Sequence, residues 1–456
     1  MRRTMNSDRP RHHFSRSAGQ RTAIVATATV LALIGAACSS APAGTPSAST
    51  STTASGDPTT TPPASGLKTI DKAALQSIVD ETAKELLVPG YLVLLRSPQG
   101  EFVAASGTTM LGEEKLPTAD THFRIASITK TMTSAANLLL AQEGKLSLDD
   151  PVTKYIPDVP NGDNITIAQL LEMRSGLYSF TDSPAISASL DNDPTKVWKP
   201  QQLLDIAFAQ PPNFAPGAEY EYSNTNYVLL GLIVEKLYGQ PIATVFEERF
   251  FKPLGMKNTI FPAATSDAIP EPFSHGYLYG GSSTMMYGTP PYTPAMEAEA
   301  RAGTLQPKDY TGVNHSFAFA AGAVISTAAD LATWMKALSG GKVFNAEYQR
   351  IWQDSAKIID PKNPYNWYGY GIDQVRWGKH VLDLHGGQTP GYNSEAAHDP
   401  DTDMTFVIWS NLTMSLDNKY TAAFLMLKVL DNIYVESPLP PQPTTTITPS
   451  NGSLPR

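Results

Sequence analysis

Ser127 and Lys130 stand three residues apart at the start of an apolar, helix-like run over residues 123–136. On a helix that spacing stacks both side chains on one face and brings an amine within hydrogen-bond reach of a hydroxyl. The pair has the types required for acyl transfer, a nucleophile and its base. The lysine serves only if burial or a neighbouring positive charge lowers its pKa toward neutrality. Ser-x-x-Lys also recurs in many helices as a surface lysine one turn from a serine, so the chemistry depends on partners elsewhere. Tyr222-Ser223-Asn224 offers a phenol able to pass a proton to a leaving group, and an amide able to hold both a substrate carbonyl and Lys130. By itself Tyr-x-Asn is a loop tripeptide. His385-Gly386-Gly387-Gln388 follows the apolar Leu382-Asp383-Leu384 and reads as a strand end, where glycine lets bare backbone approach a substrate closely. A lone histidine beside glycines is otherwise a turn residue.

The chain of 456 residues, 41% hydrophobic and 17% charged, is long enough for one large or two ordinary domains with a core. The first 37 residues carry six arginines and one aspartate; without them the 34 basic and 43 acidic residues become 28 and 42. That acidic balance argues against nucleic acid or an anionic membrane surface as a partner. The single cysteine, Cys38, excludes an intramolecular disulfide and a cysteine metal cluster. It follows an arginine-bearing segment and an uncharged, mostly apolar run over 22–37, the pattern of a secretory signal and too short for a membrane span. Gly35-Ala36-Ala37-Cys38-Ser39 resembles a bacterial lipoprotein box, although Gly35 stands where such boxes usually carry Leu, Val or Ile. The alternative is a simple secretory cut near Ala37, and both readings send the chain out of the cytoplasm.

Residues 38–66 are nearly all Ser, Thr, Ala, Pro and Gly and read as a flexible tether reaching on the order of 90 Å when extended. Residues 437–456 have the same character. Between them, 67–436 form one compositionally ordinary domain without an internal repeat. Its spacing predicts a helix over 73–87, a hairpin around Ser97-Pro98-Gln99-Gly100, a buried strand over 404–410 and a closing helix over 420–433. Strands at both ends with helical material between predict one sheet assembled from the two termini around an inserted helical region. The Gly-, Pro-, Tyr- and Met-rich stretch from Thr265 to about His315 reads as a lid or rim of the cleft, or a surface insertion. Tyr365, Trp367, Tyr368 and Tyr370 read as a second wall or as packing.

Several stretches then fall into a recognisable order. The segment after Lys130 runs on through Gly144, Leu148-Asp149-Asp150-Pro151 and Tyr155-Ile156-Pro157. Next come Ser175-Gly176-Leu177, Pro216-Gly217, Tyr222-Ser223-Asn224, Pro253-Leu254-Gly255-Met256, Ala321-Gly322 with Ser326-Thr327, and His385-Gly386-Gly387. Together they resemble the serine β-lactamase and D-alanyl-D-alanine carboxypeptidase superfamily, in its class C-like branch, over most of 67–436. The resemblance implies an α/β fold with an antiparallel sheet flanked by helices and an inserted, mainly helical region. It implies Ser127 as nucleophile, Lys130 as base, Tyr222 as proton donor, Asn224 as substrate amide ligand and His385 as an assisting residue. The oxyanion hole it implies is built from the amides of Ser127 and Gln388, with Gly386 and Gly387 along the substrate edge. Gly386 departs from members that interact with penicillin, which often carry a hydroxyl residue there for the substrate carboxylate. Met173-Arg174 replaces a common His-Thr pair.

No cofactor or metal is implied: the eight histidines show no His-x-x-x-His pair, and Gly-x-Ser-x-Gly is absent. The expectation is an exported, monomeric serine hydrolase of the cell envelope, touching the membrane only through Cys38. Its first substrate class is a D-alanyl-D-alanine-type wall peptide. An esterase or amidase, then β-lactam hydrolysis, then an inactive envelope-binding lipoprotein are the alternatives.

Overall fold

The computed structural model describes residues 66–288 and 290–436; the expectations for the export signal, Cys38, the tether up to residue 65 and the tail lie outside the described residues. The first helix, α1 (Lys72–Leu86), starts where the Asp71 carboxylate accepts from the amides of Ala73 and Ala74, a side-chain N-cap. Strands β1 (Gly90–Ser97) and β2 (Gly100–Gly107) form the expected hairpin, with Ser97 opposite Gly100. The helical region supplies α2 (Thr129–Gln142), α3 (Asn224–Tyr238) and α4 (Ala328–Ser339). The chain then returns to the sheet through β3 (Lys357–Asp360), β4 (Asn363–Tyr368), β5 (Asp373–Trp377), β6 (His380–Thr389), β7 (Tyr392–Asp399) and β8 (Met404–Ser410), and closes on α5 (Thr421–Ile433).

The eight strands lie in the order β2-β1-β8-β7-β6-β5-β4-β3, each antiparallel to its neighbour. β1 pairs with β8, so the two ends of the chain meet in mid-sheet as their apolar runs predict. Alternation along these strands divides the interior in two. Tyr91, Val93 and Leu95 join Phe406, Ile408 and the apolar faces of α1 and α5. Leu92, Leu94, Val407 and Trp409 face α2, α4 and the helical region. Among the described residues no single helix is long and apolar enough to cross a membrane.

Two close approaches bring the helical region onto the sheet. Phe123 stacks on Trp409 with ring centroids 4.8 Å apart, just before the turn that carries Ser127. At Gly387 of β6 an added Cβ would lie 2.2 Å from the Ile125 carbonyl oxygen and 2.5 Å from Ser394 Oγ, so only glycine lets the strand pass this close to the nucleophile's turn. The stretch over 265–315 is more ordered than its composition suggests. It contains helices Ser282–Tyr287 and Pro294–Arg301, and Tyr277, Tyr279 and Tyr292 are buried in the core on the α1 side. Only part of it borders the cleft, where Tyr287 donates its hydroxyl to the Thr181 and Ser183 carbonyls.

The Gly387→Ala variant forces β6 and the Ile125 carbonyl apart. Overpacking of this kind costs about 1–3 kcal/mol, so its melting temperature falls, and acylation of Ser127, followed by mass spectrometry, falls far more than the folded fraction does.

Candidate active site

Ser127 lies in a short 3-10 turn, Ala126–Ile128, that runs into α2. Ala126, just before it, holds φ +48°, a strained backbone for a residue with a Cβ, of the kind found where a turn presents a functional side chain. α2 is buried all round from Thr129 to Ala141, as befits a helix at the centre of a domain rather than on its surface. The Lys130 side chain is therefore fully buried. Its Nζ lies 3.0 Å from Ser127 Oγ, 2.8 Å from Asn224 Oδ1 and 2.7 Å from the Ala321 carbonyl oxygen. Among the described residues no carboxylate pairs with it, and burial alone drives its pKa well below the usual lysine value. A neutral amine has two N–H donors and one lone pair. Asn224 and Ala321 use the two donors, which leaves the lone pair to accept the Ser127 hydroxyl proton.

The groups around Lys130 are themselves held. Asn224, the first residue of α3, donates its side-chain amide to Thr181 Oγ1 at 3.0 Å and its backbone N–H to Ser179 Oγ at 3.1 Å, so its oxygen is the atom turned to Lys130. The Tyr222 segment is gripped by Met173. The Met173 carbonyl accepts from the Glu221 amide at 3.0 Å, and its sulfur accepts from the Ser223 amide at 3.4 Å. The Tyr222 hydroxyl is buried beside Ser127, and its ring centroid lies 4.8 Å from Lys130 Nζ. Burial pushes that phenol well above its ordinary pKa, with the Ser127 hydroxyl opposing. In the resting site Tyr222 thus keeps its proton, and of the two groups Lys130 is the one able to act as a base.

β6 supplies the opposite wall, and its register decides which backbone groups face the site. The two-residue turns Gly378-Lys379 and Pro390-Gly391 make His380/Trp377 and Thr389/Tyr392 closing pairs, so along β6 the N–H and C=O of Leu384, Gly386 and Gln388 point away from β7. β5 begins at Asp373, opposite Leu384, and reaches no further. Beyond Leu384 no strand among the described residues pairs with this edge, and the Gln388 amide points out along it, in a position from which a backbone N–H can donate to an oxyanion.

His385 lies apart from the proton path. It is fully buried, its Nδ1–H donates to the Gly386 carbonyl at 2.7 Å, and its Nε2 accepts from the Tyr368 hydroxyl at 3.3 Å. It makes no hydrogen bond to Ser127 or Lys130. Burial is the main cause that lowers its pKa to about 3, so it stays neutral at working pH and supports the wall. Of the four aromatic residues at 365–370, Tyr368 borders the site, with its ring 6.3 Å from that of Tyr222 and 5.7 Å from that of Tyr220; Trp367 lies instead against Arg376. The structure brings Ser127, Lys130, Tyr222 and Asn224 together. The sequence named Ala321 and Met173 as motif positions without a role at the site, Ala321 because it takes part through its backbone, and it gave no sign of Ser179 and Thr181 beyond the neighbouring Ser175-Gly176-Leu177 stretch.

With this geometry in view, the chain compares closely with known proteins. The family model described as Beta-lactamase matches residues 75–430. The chain belongs to that family. Its members are serine hydrolases that work through an acyl-enzyme, and the fold is the β-lactamase/DD-peptidase fold expected from the motifs. A D-stereospecific amidohydrolase from a Streptomyces species is 31% identical with a TM-score of 0.65, over 75% of this chain and 95% of that one. A D-amino acid amidase from Ochrobactrum anthropi SV3, complexed with L-phenylalanine, is 28% identical with a TM-score of 0.65, over 79% and 98%. Protein flp from Staphylococcus aureus strain MW2 is 34% identical over 196 residues, 41% of this chain and 38% of that protein, so the match spans well under half of that curated relative.

The lowered Lys130 pKa fixes the sign of the pH dependence. Deprotonation creates the base, so kcat/KM rises with pH along an acid limb that lies below the ordinary lysine value of about 10.4. Lys130→Arg, which stays protonated, and Lys130→Ala each lower the acylation rate by about 10²–10⁴-fold and remove that limb. His385 contributes no limb near 6.5. A pH–rate profile of the three proteins checks all of these outcomes.

Proposed function

We propose that the protein is an exported serine hydrolase that cleaves an amide bond on a D-configured acyl donor, in the manner of a D-alanyl-D-alanine carboxypeptidase acting on cell-wall peptides. The observation that carries the reading is the Lys130 amine, buried without a counter-ion and 3.0 Å from Ser127 Oγ. The Ser127 proton passes to Lys130 as Oγ bonds to the carbonyl carbon, and the amides of Ser127 and Gln388 receive the oxyanion. Tyr222 gives its proton to the leaving nitrogen as the C–N bond breaks, and recovers one from the Lys130 ammonium. Water, activated by the same groups, then releases the acid from Ser127.

A second reading, an amidase acting on simple D-amino acid amides, is favoured by Gly386, which leaves the third motif without a hydroxyl for a terminal carboxylate, and by the likeness to the D-stereospecific amidohydrolase and the D-amino acid amidase. Incubation with a D-Ala-D-Ala peptide, a D-amino acid amide, a fluorescent penicillin and p-nitrophenyl esters separates the substrates. The expected result is a covalent adduct on Ser127 that is lost in Ser127→Ala; full activity of that variant overturns the mechanism. Tyr222→Phe slows amide cleavage at least ten-fold more than p-nitrophenyl ester cleavage, because p-nitrophenolate departs without a proton.

The location belongs to the same proposal and rests on the sequence around Cys38. Expressed in a bacterial host, the full chain partitions into the detergent phase and Cys38→Ala moves to the aqueous phase; unchanged partition removes the anchor.

A further inference from the structure

His380 opens β6, about 26 Å along the strand from Gln388, and so stands well outside the acyl-transfer site. Asp399 closes β7, and Asp401 lies in the turn that follows. One ring nitrogen of His380 and one carboxylate oxygen from each aspartate all lie within 4.8 Å of one another. His380 and Asp399 are each 1% exposed, whereas Asp401 reaches solvent. Among the described residues neither ring nitrogen of His380 has a hydrogen-bond partner. Its Nδ1 comes within 3.3 Å of Asp399 Oδ2, yet without the alignment of a hydrogen bond. A buried imidazole with both nitrogens unmet is costly, unless another group takes one of them.

The Asp399 carboxylate, in contrast, is firmly oriented. It accepts from the Asp401 amide at 3.0 Å, from Thr402 Oγ1 at 2.6 Å and from the Tyr434 hydroxyl at 2.9 Å. A carboxylate offers about four acceptor positions, so these donors leave one over. Among the described residues no lysine or arginine pairs with Asp399 or Asp401; the neighbouring Asp403 takes Lys336.

We infer that His380, Asp399 and Asp401 hold a divalent transition-metal ion, zinc by preference, as a structural clamp. Two ligands each about 2.0–2.2 Å from one tetrahedral ion stand about 3.3–3.5 Å apart, and His380 Nδ1 keeps that separation from the Asp399 carboxylate. The imidazole favours zinc over calcium or magnesium, which take oxygen ligands. Thr402 and Tyr434 hold Asp399 as outer-shell partners hold a metal-bound carboxylate. Asp401, on the solvent side, closes in as the third ligand, and water takes the fourth position. The clamp gathers the places where the domain begins and ends. Tyr434 lies just past α5, the Val435 amide donates to the Gly66 carbonyl at 3.0 Å, and an ideal Cβ on Gly66 would stand 2.5 Å from the His380 ring. Ligands from the open end of the β6–β7 hairpin leave no short spacing in the sequence, so the histidine pattern gave no sign of them.

Calorimetry and thermal melting of the full chain, freed of metal with a chelator, test this with zinc, calcium and magnesium chlorides. The expected result is one equivalent of zinc bound and a melting temperature that rises with zinc concentration, with no response to calcium or magnesium. Asp401→Ala, at an exposed position, keeps the metal-free melting temperature and weakens zinc binding at least about ten-fold, a loss that even an outer-shell partner can cause. His380→Gln loses zinc binding as well. His275→Ala, which removes the separate His275–Asp309 pair, keeps it. Cobalt in place of zinc gives the intense visible bands of a tetrahedral site in the wild-type protein and not in Asp401→Ala. Zinc bound below one equivalent, full affinity in Asp401→Ala, loss of binding in His275→Ala, or an equal response to calcium overturns the inference.

Discussion

The Lys130 amine is buried with no carboxylate among the described residues to pair with it, and the arrangement of the site follows from that. A charged ammonium in this position would be desolvated without compensation, so the neutral form gains. A neutral amine still needs its two donors satisfied, and the Asn224 oxygen and the Ala321 carbonyl meet that need. What is left over is one lone pair, directed at Ser127. The burial that makes the lysine costly to keep is therefore also what makes it a base.

Holding two acceptors on one buried nitrogen requires three segments far apart in sequence to converge. α2 and the turn that leads into it bring Lys130 and Ser127, the start of α3 brings Asn224, and the loop before α4 brings Ala321. Thr181 and Ser179 fix the Asn224 amide, and Met173 fixes the loop that carries Tyr222. The replacement of His-Thr by Met173-Arg174 has a structural account on the methionine side: a positive φ of 62° and a sulfur that accepts a backbone proton from Ser223. Arg174 reaches the Ile358 carbonyl on β3 and ties the same loop to the sheet.

The sheet contributes geometry more than chemistry. Because β5 begins at Asp373, half of β6 has no strand beside it among the described residues on the edge next to Ser127, and such an edge is able to pair with an extended substrate backbone. Gly387 sets how near that edge can come. Gly386 leaves its flank bare, and a carboxyl from the next strand fills the gap.

The local features of the protein were legible in the sequence because they depend on short-range periodicity. The Ser127–Lys130 spacing, the β1–β2 hairpin, the apolar runs of β1 and β8 and the closing helix each follow from residues within a few turns of one another. The order of the motifs added the fold and the convergence of Ser127, Lys130, Tyr222 and Asn224. What only the tertiary structure decided were relations without a local signature. A backbone acceptor such as Ala321 leaves no mark on residue type, and a stretch rich in Gly, Pro and Tyr, such as 265–315, folds into helices only because its aromatic residues find a core. Strand register settles the rest. It fixes which amides of β6 face outward, turns His385 toward Tyr368 and sets Glu395 beside Gly386, and a shift of one residue would reverse each of these.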